Sequence, residues 1–489
     1  VDWANVTTAA ETPASAESIF SPRYRITTLG IIILMTIIAF EAMAVATALP
    51  TAARSLHGLA AYGWCFTGFL VASVVGMVAS GMYSDLRGPR IPLLVGLVLF
   101  VAGLILGGVA AQMWILVAAR TLQGLAVGLL ITAMYVVMGE VYTDEIRPRI
   151  FAALASAWIV PGLIGPVIAG WITEQLSWRW VFGGLAPFVA LGGLMLIPSL
   201  RQLRTHVAHG ALADPRRILF ALLAAAGIAA VANVGEHQTM ITVLIAIAGL
   251  VVLIIGMRRL LPAGTVSFRT GVPAAVAFRG VLAGTFFGME AVVPLTLTVQ
   301  HGYSATMSGM PLMLTAITWA AGSTVQGRAK NPNRVLMVGG GLVLIAIAGL
   351  GMALVALQTV PGWGAFIAWP IAGLGAGFAL TSSSVVLLEF TNDADRGSDS
   401  SSLQLADSSA SALCTGFGGA LVAAAAHGRI SYGVGLCIVY LVMSAIGVAV
   451  IGRAPRLRAT PRGATGPGRD RGADRAIDPS QVGPSLSAP

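Results

Sequence analysis

Long apolar runs separated by short polar breaks make up most of the chain. The runs lie near residues 26–50, 61–83, 91–111, 114–139, 150–173, 179–198, 217–235, 239–257, 272–299, 304–325, 335–357, 363–388, 400–425 and 432–452. A helix needs about 20 predominantly apolar residues to cross a bilayer, and each run reaches or approaches that length. They are numbered here as spans 1–14. Barrel strands would be short and would alternate apolar and polar residues. These runs do neither, so the pattern predicts helices, which satisfy their backbone polar groups internally in lipid.

The polar breaks carry an uneven charge. Counted from an N-terminus placed inside, the inner breaks and the two ends hold 24 basic residues, whereas the outer breaks hold only Arg54, Arg179 and Arg429. Cytoplasmic loops collect Arg and Lys, so both termini are expected in the cytoplasm, which requires an even number of spans. Arg120 and Arg279 fall within the membrane region itself. The first 22 residues lack a positive start followed by a short apolar core and a cleavage site, so no signal peptide is expected.

A repeat runs through this pattern. Trp114 to Arg147 and Trp363 to Arg396 align at an offset of 249 without a gap, and 11 of 34 positions are identical. Chance would match roughly one in ten at this composition. The same offset pairs Glu41 with Glu290 and Gly170 with Gly419. Spans 1–6 thus match spans 9–14. Eight spans separate the copies, so they are parallel and related by an axis along the membrane normal. The expected organisation is a cytoplasmic N-terminal tail (1–25), a six-helix bundle (26–200), a linker with an inserted pair of helices (201–270), a second six-helix bundle (271–453) and a disordered cytoplasmic tail (454–489). The tail is rich in Arg, Pro and Gly, and could touch anionic lipid.

Composition agrees: 56% of residues are hydrophobic, 10% are charged and the mean hydropathy is +0.85. Soluble domains carry about 25% charged residues, so this is an all-α integral membrane protein. The pI near 10.1 follows from the loop arginines and needs no nucleic acid. Cys65, Cys414 and Cys437 all lie in apolar runs, without metal or disulfide spacing. No Gly-Lys-Ser/Thr phosphate loop is present and the six histidines show no metal spacing, so neither an ATP motor, a soluble enzyme nor a metal site is expected.

Several motifs stand at fixed places along the spans. Between spans 2 and 3 the chain reads GMYSDLRGPRIPL, with Gly81, Asp85, Arg87, Gly88 and Arg90. Gly81 and Gly88 are expected to permit a tight turn there. Span 4 carries RTLQG from Arg120, span 5 carries PGLIGPVIAG from Pro161 to Gly170, and span 6 opens with WRWVFGGLAP. Taken in order along 14 spans, these resemble the motifs of the major facilitator superfamily, in its 14-helix drug:H⁺ antiporter branch. The resemblance covers roughly residues 26–453. It implies two six-helix bundles that rock about a central cavity, and export of a drug-like compound against protons. This chain departs from the branch in having Glu41 where Asp is usual, Ala169 where Gly is usual, and a second-half loop, GRAKNPNR, without the signature acid.

The candidate functional residues are the charges placed in oil. Glu41 lies about 15 residues into span 1, roughly 22 Å deep at 1.5 Å per residue. Its charge is costly there, by about 3 kcal/mol or more, which would make it a carrier of protons. Permanent protonation or pairing is the other reading. Glu290 faces the same choice, and two facing acids would attract a cation. Arg120 could bias these carboxylates or hold a substrate anion or water, or it could snorkel to the outer interface. Asp407 is another acid at membrane depth, beside the Ser-rich stretch 398–411, and a capped or water-facing role stands as its alternative. Asp85 is expected to bridge to Arg147 or Arg149 across an inner gate. Pro161, Gly162, Gly165 and Pro166, with Gly170, are expected to break the ladder of span 5, either as a gate or as ordinary small-residue packing. Gly124, Gly128, Gly373 and Gly377 read as packing faces, Trp114 and Trp363 as interface anchors.

The expected activity is export of a hydrophobic compound, with cations among the candidates, driven by the proton gradient and needing no other cofactor. The expected setting is a monomer in lipid, in a bacterial inner membrane. A lipid or siderophore exporter of the same fold, or a non-transporting scaffold or sensor, are the alternatives.

Overall fold

The computed structural model describes residues 18–143, 145–200, 216–233, 240–329, 333–391 and 396–458. These residues are helical throughout, joined by short turns. Spans 1–4 appear as α1 (Arg25–Ser55), α2 (Tyr62–Arg87), α3 (Arg90–Gly108) and α4 (Met113–Val141). Span 5 is split into α5 (Arg147–Ser156) and α6 (Ile159–Gln175), and span 6 into α7 (Arg179–Gly183) and α8 (Ala186–Leu200). Spans 7 and 8 are α9 (Arg216–Ala232) and α10 (Met240–Leu260). Span 9 is split into α11 (Val272–Glu290) and α12 (Val293–Gln300). Spans 10–14 are α13 (Ala305–Arg328), α14 (Arg334–Ala356), α15 (Ala365–Phe390), α16 (Arg396–Ala426) and α17 (Tyr432–Ile451).

Among the described residues, eleven helical stretches are long and apolar enough to cross a membrane. The shortfall from 14 has compositional causes. α6 and α9 have only 17 residues each, and α13, at 24 residues, carries Ser308, Thr315, Thr318, Ser323 and Thr324 on an otherwise apolar sequence. The tails 1–17 and 459–489, residues 201–215, and Asp144 and Asp393 among others lie outside the described residues.

The packing repeats itself. α2 lies along α4 as α13 lies along α15, and α3 lies along α4 as α14 lies along α15. α1 packs on α6 and α8, and its counterpart α11 packs on α16 and α17. Glycines let these pairs approach. A side chain at Gly124 would begin 1.9 Å from the Phe69 carbonyl oxygen, and one at Gly128 would begin 2.1 Å from that of Ser73. Their repeat mates behave alike: Gly373 is held 2.3 Å from Thr315 O and Gly377 2.4 Å from Trp319 O by the same measure. Small residues that admit a neighbouring backbone are the usual basis of helix association in lipid, so these four are packing faces, as expected.

Two seams join the halves, and they are also repeat mates: α6 with α13, and α16 with α2. Gly170 sits in the first against Thr306, and its mate Gly419 sits in the second against Gly63, backbone on backbone. Helix α9 packs on both α2 and α16 and so lies over the second seam. Its partner α10 leaves Met240, Ile241, Leu244, Ile247 and Val251 exposed, the outward apolar face of a helix that borders lipid.

Two expectations about backbone breaks need correction. The break in span 5 falls at Ala157 and Trp158, not at the prolines. Pro161 is the third residue of α6, where an N–H would have no intrahelical partner, so its missing donor costs nothing there. Pro166 lies inside α6 without ending it. In the loop after α2 only Gly88 makes the turn, with φ +83°, a conformation that favours glycine. Gly81 lies within α2 and is helical.

Candidate transport site

Among the described residues, each half holds one ion pair in the membrane region, buried in the first half and half-buried in the second. In the first half Glu41 of α1 meets Arg120 of α4 through Oε1 and Nη1, with side chains 0% and 3% exposed. Gln123 lies one turn beyond Arg120, so both side chains share a helix face, and its Oε1 accepts a second bond from Arg120 Nη1 at 2.7 Å. The guanidinium also lies over the ring of Phe69 from α2, 4.2 Å from its centre. Arg120 therefore does not snorkel; three helices fix it in the interior. Glu41 Oε2, Arg120 Nε and Gln123 Nε2 have no hydrogen-bond partner among the described residues. Buried polar atoms left this way are costly, and together they offer an acceptor and two donors at one place.

The second half builds its pair from different helices. Arg279 Nε of α11 donates to both carboxylate oxygens of Asp407 on α16 at 2.8 Å, and Nη2 approaches Oδ2 at 2.8 Å. Nη1 donates to Leu380 O at 3.0 Å and to the Ser384 hydroxyl at 3.1 Å, both on α15. This arginine ties three helices together. The pair is less enclosed than the first, with exposures of 20% and 13%.

Glu290 does not repeat the Glu41 arrangement. It is the last residue of α11, half-buried at the break before α12, with no hydrogen bond or ion pair among the described residues. The position matching Arg120 is Trp369, which is fully buried and stacks on Phe286 with ring centres 5.4 Å apart. Trp319 meets the edge of the same Phe286 ring at 5.3 Å. An aromatic cluster thus fills the place that a cation holds in the first half, and no contact joins Glu290 to Glu41.

The loop charges take other positions. Asp85 is exposed and has no ion pair among the described residues, so the bridge expected to Arg147 or Arg149 is not made. Arg147 turns back instead and donates to Gly139 O at 2.7 Å and Tyr142 O at 3.2 Å, completing the C-terminus of α4. Arg87 ends α2, Arg90 begins α3, and both are exposed, as is Arg149. In α6, Gly162 faces the Ala316 methyl of α13 and Gly165 faces Met43 and Phe40 of α1. Gly309 of α13 is held close to Thr47 and to Pro166 O. The span 5 motif residues are therefore contacts of α6 with α1 and α13.

The halves meet directly at the arginine-poor end. There Tyr62 Oη donates to Ala291 O at 2.6 Å, Glu174 Oε1 accepts the Thr306 N–H at 2.6 Å, and Gly63 meets Gly419. Toward the arginine-rich end, Gly139 and Gly327 have nothing within 4 Å of where a side chain would start.

Sequence assigned no role to Arg279, Gln123, Phe69 or Glu174. One signal pointed to Arg279: it is the one basic residue that the second half places within the membrane region.

The fold has many solved counterparts. A POT family transporter crystallised with 5-aminolevulinic acid aligns at TM-score 0.65 over 89% of this chain and 96% of its own, at 15% identity. The human organic anion transporter MFSD10 (TETRAN) aligns at 0.58 over 88% and 98%, also at 15% identity. Among sequence relatives, the multidrug transporter protein MdtP of Bacillus subtilis is 34% identical over 31% of this chain and 28% of its own length. An uncharacterised MFS-type transporter of Schizosaccharomyces pombe, C1399.02, is 26% identical over 71% of this chain and 62% of its own length. The acurin A biosynthesis cluster MFS-type transporter of Aspergillus aculeatus is 30% identical over 37% and 33%. The matched stretches thus span less than two thirds of these relatives. The family model described as Major Facilitator Superfamily matches residues 31–369, well over half of the chain. With helices that repeat their packing across two halves and a family match of that extent, the chain belongs to the major facilitator superfamily of membrane transporters.

Proposed function

We propose that this transporter is a proton-coupled exporter of hydrophobic compounds, cations among them, built as two parallel six-helix bundles with α9 and α10 inserted between them. The observation that carries this reading is the Glu41–Arg120 pair, enclosed at membrane depth. Protonating Glu41 cancels the pair and leaves a buried arginine charge without its partner, a state costing several kcal/mol. The molecule escapes that cost by binding a substrate or changing conformation, and this links a proton to transport. MdtP, named as a multidrug transporter, supports the drug-export reading. The arginine-rich end is taken as cytoplasmic, so the contacts of Tyr62, Glu174 and Gly170 close the outer end.

The other charged groups divide the work. Glu290 supplies an unpaired carboxylate beside the aromatic cluster, and the Arg279–Asp407 pair sets the charge of the inner cavity. Asp85, Arg87, Arg90, Arg147 and Arg149 line the inner mouth, where Asp85 can find an arginine only when that end closes. Reconstituted vesicles with an imposed pH gradient test the coupling. Substrate exchange should depend on the gradient in the natural protein and lose that dependence in Glu41→Gln. Gradient-driven exchange of undiminished size in Glu41→Gln removes Glu41 from the proton path.

A further inference from the structure

Glu174, near the C-terminus of α6 in the first half, reaches the N-terminus of α13 in the second. Its Oε1 accepts the Thr306 backbone N–H at 2.6 Å. The polar groups of the neighbouring Ser304, Ala305 and Thr306 favour its ionised form. Glu174 is exposed to solvent; the slight burial it has raises its pKa, but these groups outweigh that and hold the carboxyl below the usual range. No charged side chain contributes to that balance.

The first four N–H groups of a helix lack intrahelical partners, and they carry partial positive charge. α13 has a cap of its own, because Ser304 Oγ accepts the Met307 N–H at 3.3 Å. A local cap such as Ser304 travels with its helix. A cap supplied by the opposite half cannot, so it breaks whenever this end of the molecule separates. The surrounding seam is built for contact: a side chain at Gly170 would begin 2.5 Å from Thr306 Cα, and one at Gly309 would begin 2.9 Å from Pro166 O.

We infer that Glu174 is the latch of the gate at the arginine-poor face, positioning α13 against α6 by capping it from the other half. The inference rests on the family's transport function and on reading that face as external. It does not require protons to be the coupled ion.

The latch can be read without substrate or gradient. Cysteines 65, 414 and 437 are replaced by alanine, and spin labels are placed at Leu176→Cys and Thr359→Cys, exposed positions of the two halves at this end. Distances between the labels in reconstituted membranes then give the ratio of open to closed outer gates. Glu174→Gln and Glu174→Ala should raise that ratio about five- to tenfold, the size of a lost charged cap. Thr306→Pro removes the donor from the other side and should do the same. Proline is accepted in the first turn of a helix, and α11 and α12 already carry one at their second position. Glu174→Asp should recover part of the closed population. Gly170→Leu, which wedges the seam, calibrates the open state. Unchanged distances in Glu174→Ala and Thr306→Pro, with Gly170→Leu shifted, overturn the latch. A failure of proton-driven exchange would leave this result untouched, so the two readings fail separately.

Discussion

Removing Arg120 should damage the molecule more than removing the whole ion pair. Glu41 is 0% exposed and Arg120 3%, so neither charge has water to fall back on. Breaking such a pair by deleting one partner costs about 3–5 kcal/mol, whereas replacing both with neutral groups is often nearly neutral. Arg120→Ala also forfeits the bond to Gln123 and the contact over Phe69, each worth about 1 kcal/mol. Those losses recur in the double variant, so they cancel in a double-mutant cycle. The cycle Arg120→Ala, Glu41→Ala and both together should therefore give a coupling of about 2 kcal/mol or more, roughly 30-fold in an equilibrium constant. Resistance to unfolding in mixed micelles at fixed protein concentration provides the measurement. The abandoned carboxylate can lower its cost by taking up a proton, so the coupling should grow from pH 5 to pH 8. Additive single effects, with a coupling under about 0.5 kcal/mol at pH 8, would refute the claim that the two charges hold each other in place.

Other variants test the remaining geometry. Arg279→Ala should release α11 from both α15 and α16, but with exposures of 20% and 13% solvent softens the loss to about 1–3 kcal/mol; the same unfolding assay measures it. Gly124→Val should clash with the Phe69 carbonyl and separate α2 from α4, lowering folded yield by far more than Gly139→Val, where space is open. Pro161→Ala should change stability by under about 1 kcal/mol and leave the α5–α6 break in place, because Pro161 sits in a first turn. Label accessibility at Trp158 checks it. For Glu174, whose pKa is held low in the closed state, latch stability should be full at neutral pH and lost as pH falls through and below the usual carboxylate range. Label distances at the outer gate should widen below about pH 4.5 in the natural protein and be unaffected by pH in Glu174→Gln.

Much of the fold could be read from sequence because lipid permits so few structures. Each of the fourteen runs falls on a helix or a broken pair of helices, eleven such stretches being long and apolar enough to cross a membrane, and the 249-residue offset reappears as repeated packing and as the paired glycines Gly170 and Gly419. The breaks were harder to read. Pro161 looked like the kink of span 5, yet a proline can begin a helix as readily as interrupt one, and its neighbours at Ala157 and Trp158 carry no local mark. The site was legible only as a set of buried charges. Sequence placed Glu41, Arg120 and Asp407 at depth. It could not show which helix faces met, and so it left Arg279 unassigned. Glu174 was invisible for another reason. A glutamate at a helix end reads as an ordinary interfacial charge, and its target is a backbone N–H that sequence never displays.

The two halves share an architecture and differ in their charges, and that difference bears on direction. In the first half acid and base lie on spans 1 and 4, sealed from water. In the second they lie on spans 13 and 9, partly open, while the acid matching Glu41 sits without a base at a helix break. A symmetric pair of buried acids would respond alike to protons arriving from either side, and neither half could be assigned proton or substrate. With Arg120 answered by Trp369, a charge change at Glu41 has a strong local partner, whereas Glu290 can be neutralised only by a proton or by a cation brought from outside the chain. If that division holds, Glu290→Gln should weaken transport of a permanently cationic compound about tenfold and spare a neutral one of similar size. Equal losses for both compounds would place Glu290 in the framework and not in substrate charge recognition.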